Sequence, residues 1–511
     1  MKRVATGKTL FFIFPIVKLF LHLYTNIFAG YGIFRDELYY VACSKRLAFG
    51  YVDEPPFSIW ILSFVRNLIG DSVFALRLVP AIVGALTIFI VALITKKLGG
   101  GKSAIIIAST CALLAPINIG MNSYFSMNTF DHFFWAVGFL FVLKIIQEDK
   151  LTNWIILGVI IGFGMLNKIS MGWFAFGFFI GLLASSMRKR ILSKDFFLLV
   201  TISLLLFLPY IIWNFQNEFA SIEFIRNALA HKYNGITRWD FVSGLFLIMN
   251  PASIPIWIGG LYFFFLNEGN EKYKILGAIF LVSFLVLFIN GHNKSEYLAP
   301  AFYILFAGGG VMFEKLNANK VWYWIQQIDL SFVIIIGIII LPFAIPILSV
   351  DNFIKYQNII GIAPQSSERH QLSELPQFYA DMFGWENMAR SVSEVYQRLS
   401  DDEKKNTVIY GNNYGRAGAI EYYSHKYSLP EKAISMHNNF WIWGYENKSI
   451  KTMIVIGEER DHLIQNFDEV IAAGRIVSPH AIPYENNLTI WICRGPKFDF
   501  EKLWHAEKKF I

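Results

Sequence analysis

The chain has 511 residues, of which 55% are apolar, 17% aromatic and only 16% charged. Soluble proteins carry about 25% charged residues, so this composition excludes a soluble globular enzyme and predicts a polytopic membrane protein. The net charge of +7 calls for no nucleic-acid partner, because the surplus Lys and Arg falls in short loops between apolar runs, where cytoplasmic loops carry it.

Lys2, Arg3 and Lys8 precede the first apolar run, and no small-residue cleavage site follows it. The start therefore reads as a retained signal-anchor helix. A spanning helix needs about 20 apolar residues. Segments of this kind are expected near 11–31, 73–95, 103–120, 128–146, 153–167, 171–187, 196–213, 239–266, 275–290, 297–313 and 329–349. Lys18 in the first is expected to snorkel to the cytoplasmic surface. Residues 57–69 are amphipathic and too short to span, which places them along the interface. The eighth segment is broken by Asn250, Pro251 and Pro255. Cys43, Cys111 and Cys493 lie too far apart for a metal spacing or a disulfide framework and read as packing residues.

With the N-terminus inside, the even-numbered segments end at Lys96-Lys97, QEDK, RKR, NEGNEKYK and FEKLNANK, each carrying Lys or Arg. That register puts the first loop (32–72), the 214–238 loop, the 291–296 turn and everything beyond about residue 351 on the outer side. The chain divides into a transmembrane region, 1–350, and a polar region, 351–511, expected to be a soluble α/β domain. In the latter, Trp385, Met388, Val392, Val395 and Leu399 follow helical spacing. Residues 407–410, 452–456 and 488–493 read as short buried strands with helices between them.

The first external loop concentrates the chemistry. YGIFRDELYYVACSKRLAFGYVDEPPFSIW holds Asp36, Glu37, Asp53 and Glu54 beside Tyr39 and Tyr40, and acids at a membrane edge are costly unless something uses them. Asp36 and Glu37 are adjacent, so on a helix they point about 100° apart and cannot share a proton. One suits a base while the other holds a hydrogen bond, a metal or an arginine. Asp131 lies one helical turn inside the fourth segment, beside His132, which reads as a filling or capping residue. Lys168 stands between two apolar helices, Lys294 in a polar turn, and Arg35 beside the acid pair. In the outer region, GNNYGRAGA (Gly411, Gly415, Gly418) follows a strand and opens a helix but lacks the dinucleotide fingerprint. HNNFWIWG (His437, Asn438, Asn439, Trp441, Trp443) pairs amides with aromatics, which suits either sugar stacking or packing against the membrane region.

RDELYY followed by LAFGYVDEPPF resembles the first external loop of glycosyltransferase family 39, the relatives of protein O-mannosyltransferases, with lipid A aminoarabinose transferases as more distant cousins. That family reads Asp-Glu-x-Tyr-Tyr and later Asp-His-Pro-Pro; here Glu54 stands where the histidine is usual. The resemblance continues through YFSMNTFDHFFW, MLNKISMG, WNFQNEFASIEF (Trp213, Asn214) and HNKSEYLAP. It implies a GT-C fold of about 11 transmembrane helices and inverting transfer of a sugar from a polyprenyl-phosphate donor to a protein, lipid or glycan acceptor. The reaction would take place at the outer face of a bacterial inner membrane. By this likeness Asp36 is the base, supported by Glu37 and Asp131. Lys168, Lys294, Arg35 and Tyr297 serve the donor phosphate, and Asp53, Glu54, Tyr39 and Tyr40 shape the loop or meet the acceptor. A divalent cation is left open. The rival expectation, a transporter or flippase of lipid-linked sugars, draws on the broken eighth segment; acids clustered at one edge and the absence of repeated halves weigh against it.

Overall fold

The computed structural model describes residues 2–364, 366, 371–445 and 450–511, with side chains from Thr9 onward. The charges at Lys2, Arg3 and Lys8, on which the signal-anchor expectation rests, belong to side chains outside the described residues.

Among the described residues seven helices are long and apolar enough to cross a membrane: Thr9–Phe28, Val73–Lys97, Met127–Glu148, Lys194–Gln216, Glu271–Asn290, Ser295–Leu316 and Lys320–Ala344. Arg238–Ile248 and Pro251–Phe265, bent by 91° at the predicted break, reach that length and apolarity only as a pair. Asn250 sits in the elbow at φ +66° and donates to the carbonyl of Val333 at 2.9 Å. The neighbouring helix thus takes up the polar group that the bend frees. Lys102–Leu114, Leu151–Asn167 and Met171–Leu183 are apolar helices of 13 to 17 residues. Together these account for all eleven predicted segments. Phe57–Ile69 is helical and short, with Ile59 and Leu62 buried and Phe64 and Leu68 exposed.

Tight helix contacts rest on small residues, as membrane packing requires. A Cβ on Gly309 would overlap the carbonyl oxygen of Ile256, and one on Gly260 that of Leu305. Helices Ile254–Phe265 and Phe302–Leu316 therefore touch backbone to backbone.

Lys18 does not snorkel. It is wholly buried in the first span, where its ammonium donates to the carbonyl of Asn118 at 2.7 Å. The short helix Pro116–Gly120, which breaks the third segment, presents that carbonyl inward and offers the ammonium a nearer partner than the surface.

Beyond the last span lies a four-stranded sheet of order β1-β2-β4-β3, with β1 Thr407–Gly411, β2 Thr452–Ile456, β3 Phe467–Ile476 and β4 Leu488–Pro496. β1 and β2 are parallel, joined by a crossover containing helix Tyr414–Tyr427, and the other pairings are antiparallel. β3 falls in an interval read as helical. It is an edge strand with a bulge at Ala472–Gly474 and a largely exposed face, so it lacks the apolar run that marked the other three. Helix Trp385–Tyr396 buries Trp385, Met388, Val392 and Val395, as their spacing predicts.

Candidate active site

The acid pair opens helix Arg35–Ser44, and its two members part at once. Glu37 turns inward and is 1% exposed. It accepts from the backbone of Phe34 at 2.9 Å and of Phe125 at 2.8 Å, and from Arg77 at 2.7 and 3.0 Å. Its oxygens are fully engaged away from any space a substrate could enter. Glu37 therefore joins the loop helix to the second span instead of meeting reactants. Asp36, about 100° round the helix, faces a cavity of about 840 Å³. It accepts from the Tyr414 hydroxyl at 2.8 Å and lies 3.4 Å from Arg35 Nε.

Asp53 lines the same cavity and accepts from the Tyr39 hydroxyl at 2.7 Å. Burial pushes its carboxyl up to about 6, against the opposing pull of that hydrogen bond. Glu54 points the other way and is 1% exposed, with Oε2 accepting from Ser58 at 2.9 Å. Burial, then the charge of Asp53, raises it well above the carboxylate range. Among the described residues its Oε1 meets no hydrogen-bond donor, and it is absent from the cavity wall. Tyr39 and Tyr40 both line the cavity.

The chain breaks between helices Leu151–Asn167 and Met171–Leu183, with Lys168 in extended backbone at the break. This frees its side chain to enter the cavity, where the ammonium donates to Asn128 at 2.7 Å and lies 5.1 Å from the centre of the Tyr297 ring. Asp131 stands 3.6 Å behind it and accepts from Ser170 at 2.9 Å. At 2% exposure Asp131 lies off the cavity wall, so any support it gives Asp36 passes through Lys168. Its nearest charge is Lys168, and it aims that ammonium. His132 contacts the Tyr303 hydroxyl at 2.8 Å and is buried. Lys294, Tyr297 and Arg35 all line the cavity, Lys294 with its ammonium 5.2 Å from the Tyr233 ring centre.

Two cavity groups escaped the sequence reading. Lys232 and Tyr233 enter from the irregular turn that ends the 214–238 loop; the loop's outer placement was the available signal. Tyr414 comes from the C-terminal region, more than 370 residues from Asp36, as does Asn438 of the HNNFWIWG segment that the sequence singled out. Apolar residues including Ile117, Trp173, Leu247, Ile340 and Phe343 extend the cavity away from the charged end. Among the described residues no three His, Cys, Asp or Glu side chains converge as a metal-ligand set.

The C-terminal region is fastened directly to the acid loop. Gly415 and Gly418 let helix Tyr414–Tyr427 lie on helix Arg35–Ser44, since a Cβ at either would press on Arg35 or Leu38. Arg46 grips Glu421 with two bonds of 2.7 and 2.8 Å and stacks on Trp443. Asn439 accepts from the backbone of Val52 at 2.7 Å, and its Oδ1 lies 3.0 Å from the Tyr39 hydroxyl. The glycines of GNNYGRAGA thus serve helix packing, and the HNNFWIWG segment packs on the loop.

The architecture matches that of ArnT from Cupriavidus metallidurans. The structure described as bound to undecaprenyl phosphate aligns with a TM-score of 0.60 over 96% of this chain and 97% of that one, at 11% identity. The apo structure gives 0.63 over 96% and 98%, also at 11% identity. The chain has this ArnT-like GT-C fold. Residues 53–213 match the family described as dolichyl-phosphate-mannose-protein mannosyltransferase, which bears out the likeness read from the sequence. The Asp36-Glu37 pair lies just ahead of the matched stretch. Two curated relatives come from Rhizobium johnstonii. The lipopolysaccharide core galacturonosyltransferase RgtB is 24% identical over 53% of this chain and 58% of its own length. The lipid A galacturonosyltransferase RgtD is 21% identical over 49% and 53%. The chain thus spans somewhat over half the length of the curated relatives it matches. Within this fold the cavity lies where the acid loop, the breaks near Lys168 and Lys294 and the C-terminal region meet.

Proposed function

We propose that this protein is a membrane glycosyltransferase that moves one sugar from a polyprenyl-phosphate donor to a hydroxyl acceptor at the outer face of the membrane, with inversion. The observation that carries the reading is one cavity bearing Asp36 at its wall, the cations Arg35, Lys168 and Lys294, and an apolar extension. A lipid-linked sugar has the matching three parts: a reacting sugar, a phosphate and a hydrocarbon chain. The solved ArnT with undecaprenyl phosphate and the galacturonosyltransferase relatives support the donor class and the reaction type.

In this reading the acceptor oxygen attacks the anomeric carbon while Asp36 takes its proton. The bond from that carbon to the phosphate oxygen breaks, and the lipid phosphate leaves with the electron pair. Lys168 and Lys294, with Arg35, stabilise the charge that develops there in a partly dehydrated site. Asp53 is placed to hydrogen-bond a sugar or acceptor hydroxyl. The alternation of Lys- and Arg-bearing loops supports an inside N-terminus in a bacterial inner membrane, with the active site and C-terminal region outside.

Purified protein supplied with radiolabelled polyprenyl-phosphate sugars, one at a time, should release free lipid phosphate from one of them. Lys168→Ala and Lys294→Ala should each weaken the use of that donor by about 10- to 100-fold, the effect of losing one charge-assisted contact. Donor binding without release from any of them would overturn the assignment and favour lipid-linked sugar transport.

A further inference from the structure

Asp36 has two described hydrogen-bonding neighbours, and one of them comes from the far end of the chain. Tyr414 donates its hydroxyl to Asp36 Oδ1 at 2.8 Å. The ring is fixed on several sides. It packs 5.0 Å from the Tyr39 ring and 4.8 Å from the His437 ring, and Arg35 lies 5.7 Å from its centre. Its backbone N–H donates to His437 Nδ1 at 3.4 Å, and His437 Nε2 contacts the carbonyl of Ile511 at 2.7 Å. That pattern puts the imidazole proton on Nε2, and burial keeps the ring neutral by lowering it to about 3. Asn413 caps the start of the helix by accepting from Arg416, which is itself paired with the buried Glu485 at 2.8 Å. The tyrosine hydroxyl therefore reaches Asp36 from a rigid mount.

We propose that Tyr414 is a positioning residue of the transfer site, holding the Asp36 carboxylate in the rotamer that faces the acceptor, so that the C-terminal region completes the catalytic centre. This rests on the reading of Asp36 as the base. A carboxylate on a helix end has free rotation about its side-chain bonds. Arg35 Nε, at 3.4 Å, is too long a contact to fix it alone. The hydroxyl supplies the short, directional bond. The remaining charges near Asp36 act in both directions. Asp53 shares the cavity with it and the buried Glu54 points away, while Asp381 and Tyr484 surround Arg35 on its other side. Lys168, Lys232, Lys294 and Glu296 share the cavity.

Tyr414→Phe tests this, since the ring and its packing stay and only the donor goes. The expected result is a fall in kcat of about tenfold or more, with the donor KM within about twofold of wild type. A purely structural role would lower the amount of active enzyme and leave kcat per active molecule unchanged. The carboxylate stretch of Asp36, isolated by subtracting Asp36→Asn infrared spectra, reports the contact without activity. Its frequency should shift in Tyr414→Phe as the hydrogen bond is lost. An unchanged carboxylate band, or an unchanged kcat, overturns the proposal. A shifted band in a protein whose wild type transfers no sugar would sink the role in transfer through the failure of the transferase reading itself.

Discussion

Adjacent residues in this site have opposite fates, and the helix turn between them is the cause. Glu37 is buried with Arg77, and a charge left alone in such a place costs about 3–5 kcal/mol. Glu37→Gln should therefore lower stability by about that amount, while Glu37→Gln with Arg77→Met should recover most of it; thermal unfolding in detergent measures both. Asp53 gives a pH signature. Its ordinary value is 3.8 and its folded value about 6, so between them the native state keeps a proton that the unfolded chain releases. Its favourable contribution is full below about 3.8 and is lost as pH rises through about 6. Melting temperatures taken from about pH 4 to about pH 7 should show wild type losing ground to Asp53→Asn across that window. An unchanged gap would contradict the assignment. Asp36, Lys168, Lys294 and Tyr297, which the family likeness grouped, line one cavity, and a polar group at a helix end needs little room to turn into a shared space. Asp131 and Lys18 were harder to place from sequence, because a buried charge is positioned by partners that only the tertiary structure reveals. For Lys18 that partner is a carbonyl 100 residues away.

At the scale of elements, apolar length and loop charge carry over well, since each spanning helix must satisfy its own backbone in the bilayer. The eleven segments were legible for that reason, the break at Asn250–Pro251 from its proline, and the helix from Trp385 from its apolar spacing. The edge strand β3 and the docking of helix Tyr414–Tyr427 were not. The first lacks an apolar run, and the second depends on glycines whose use shows only when a neighbouring helix is in place. Asn439 is the point at which this docking meets the acid loop. Replacing it with Ala leaves the Val52 N–H without its partner at a buried position, which costs about 1–3 kcal/mol. The variant should lose proteolytic protection around residues 50–56 and transfer more slowly, with donor binding retained. Hydrogen exchange over that stretch at wild-type rates would show that the loop holds itself.

The whole molecule is a helical scaffold that brings three distant stretches to one charged pocket: the acid loop, the breaks near Lys168 and Lys294, and the C-terminal region. Arg35, Lys168 and Lys294 line that pocket, and no cluster of three ligating His, Cys, Asp or Glu residues occurs among those described. The account turns on Asp36 acting as base toward a lipid-phosphate donor. The most direct test compares wild type with Asp36→Asn in one preparation, measuring donor binding and the release of polyprenyl phosphate separately. Binding should be unchanged and release should fall by about 10²- to 10⁴-fold, the usual contribution of a positioned base. Release at the wild-type rate from the Asn variant would contradict the account.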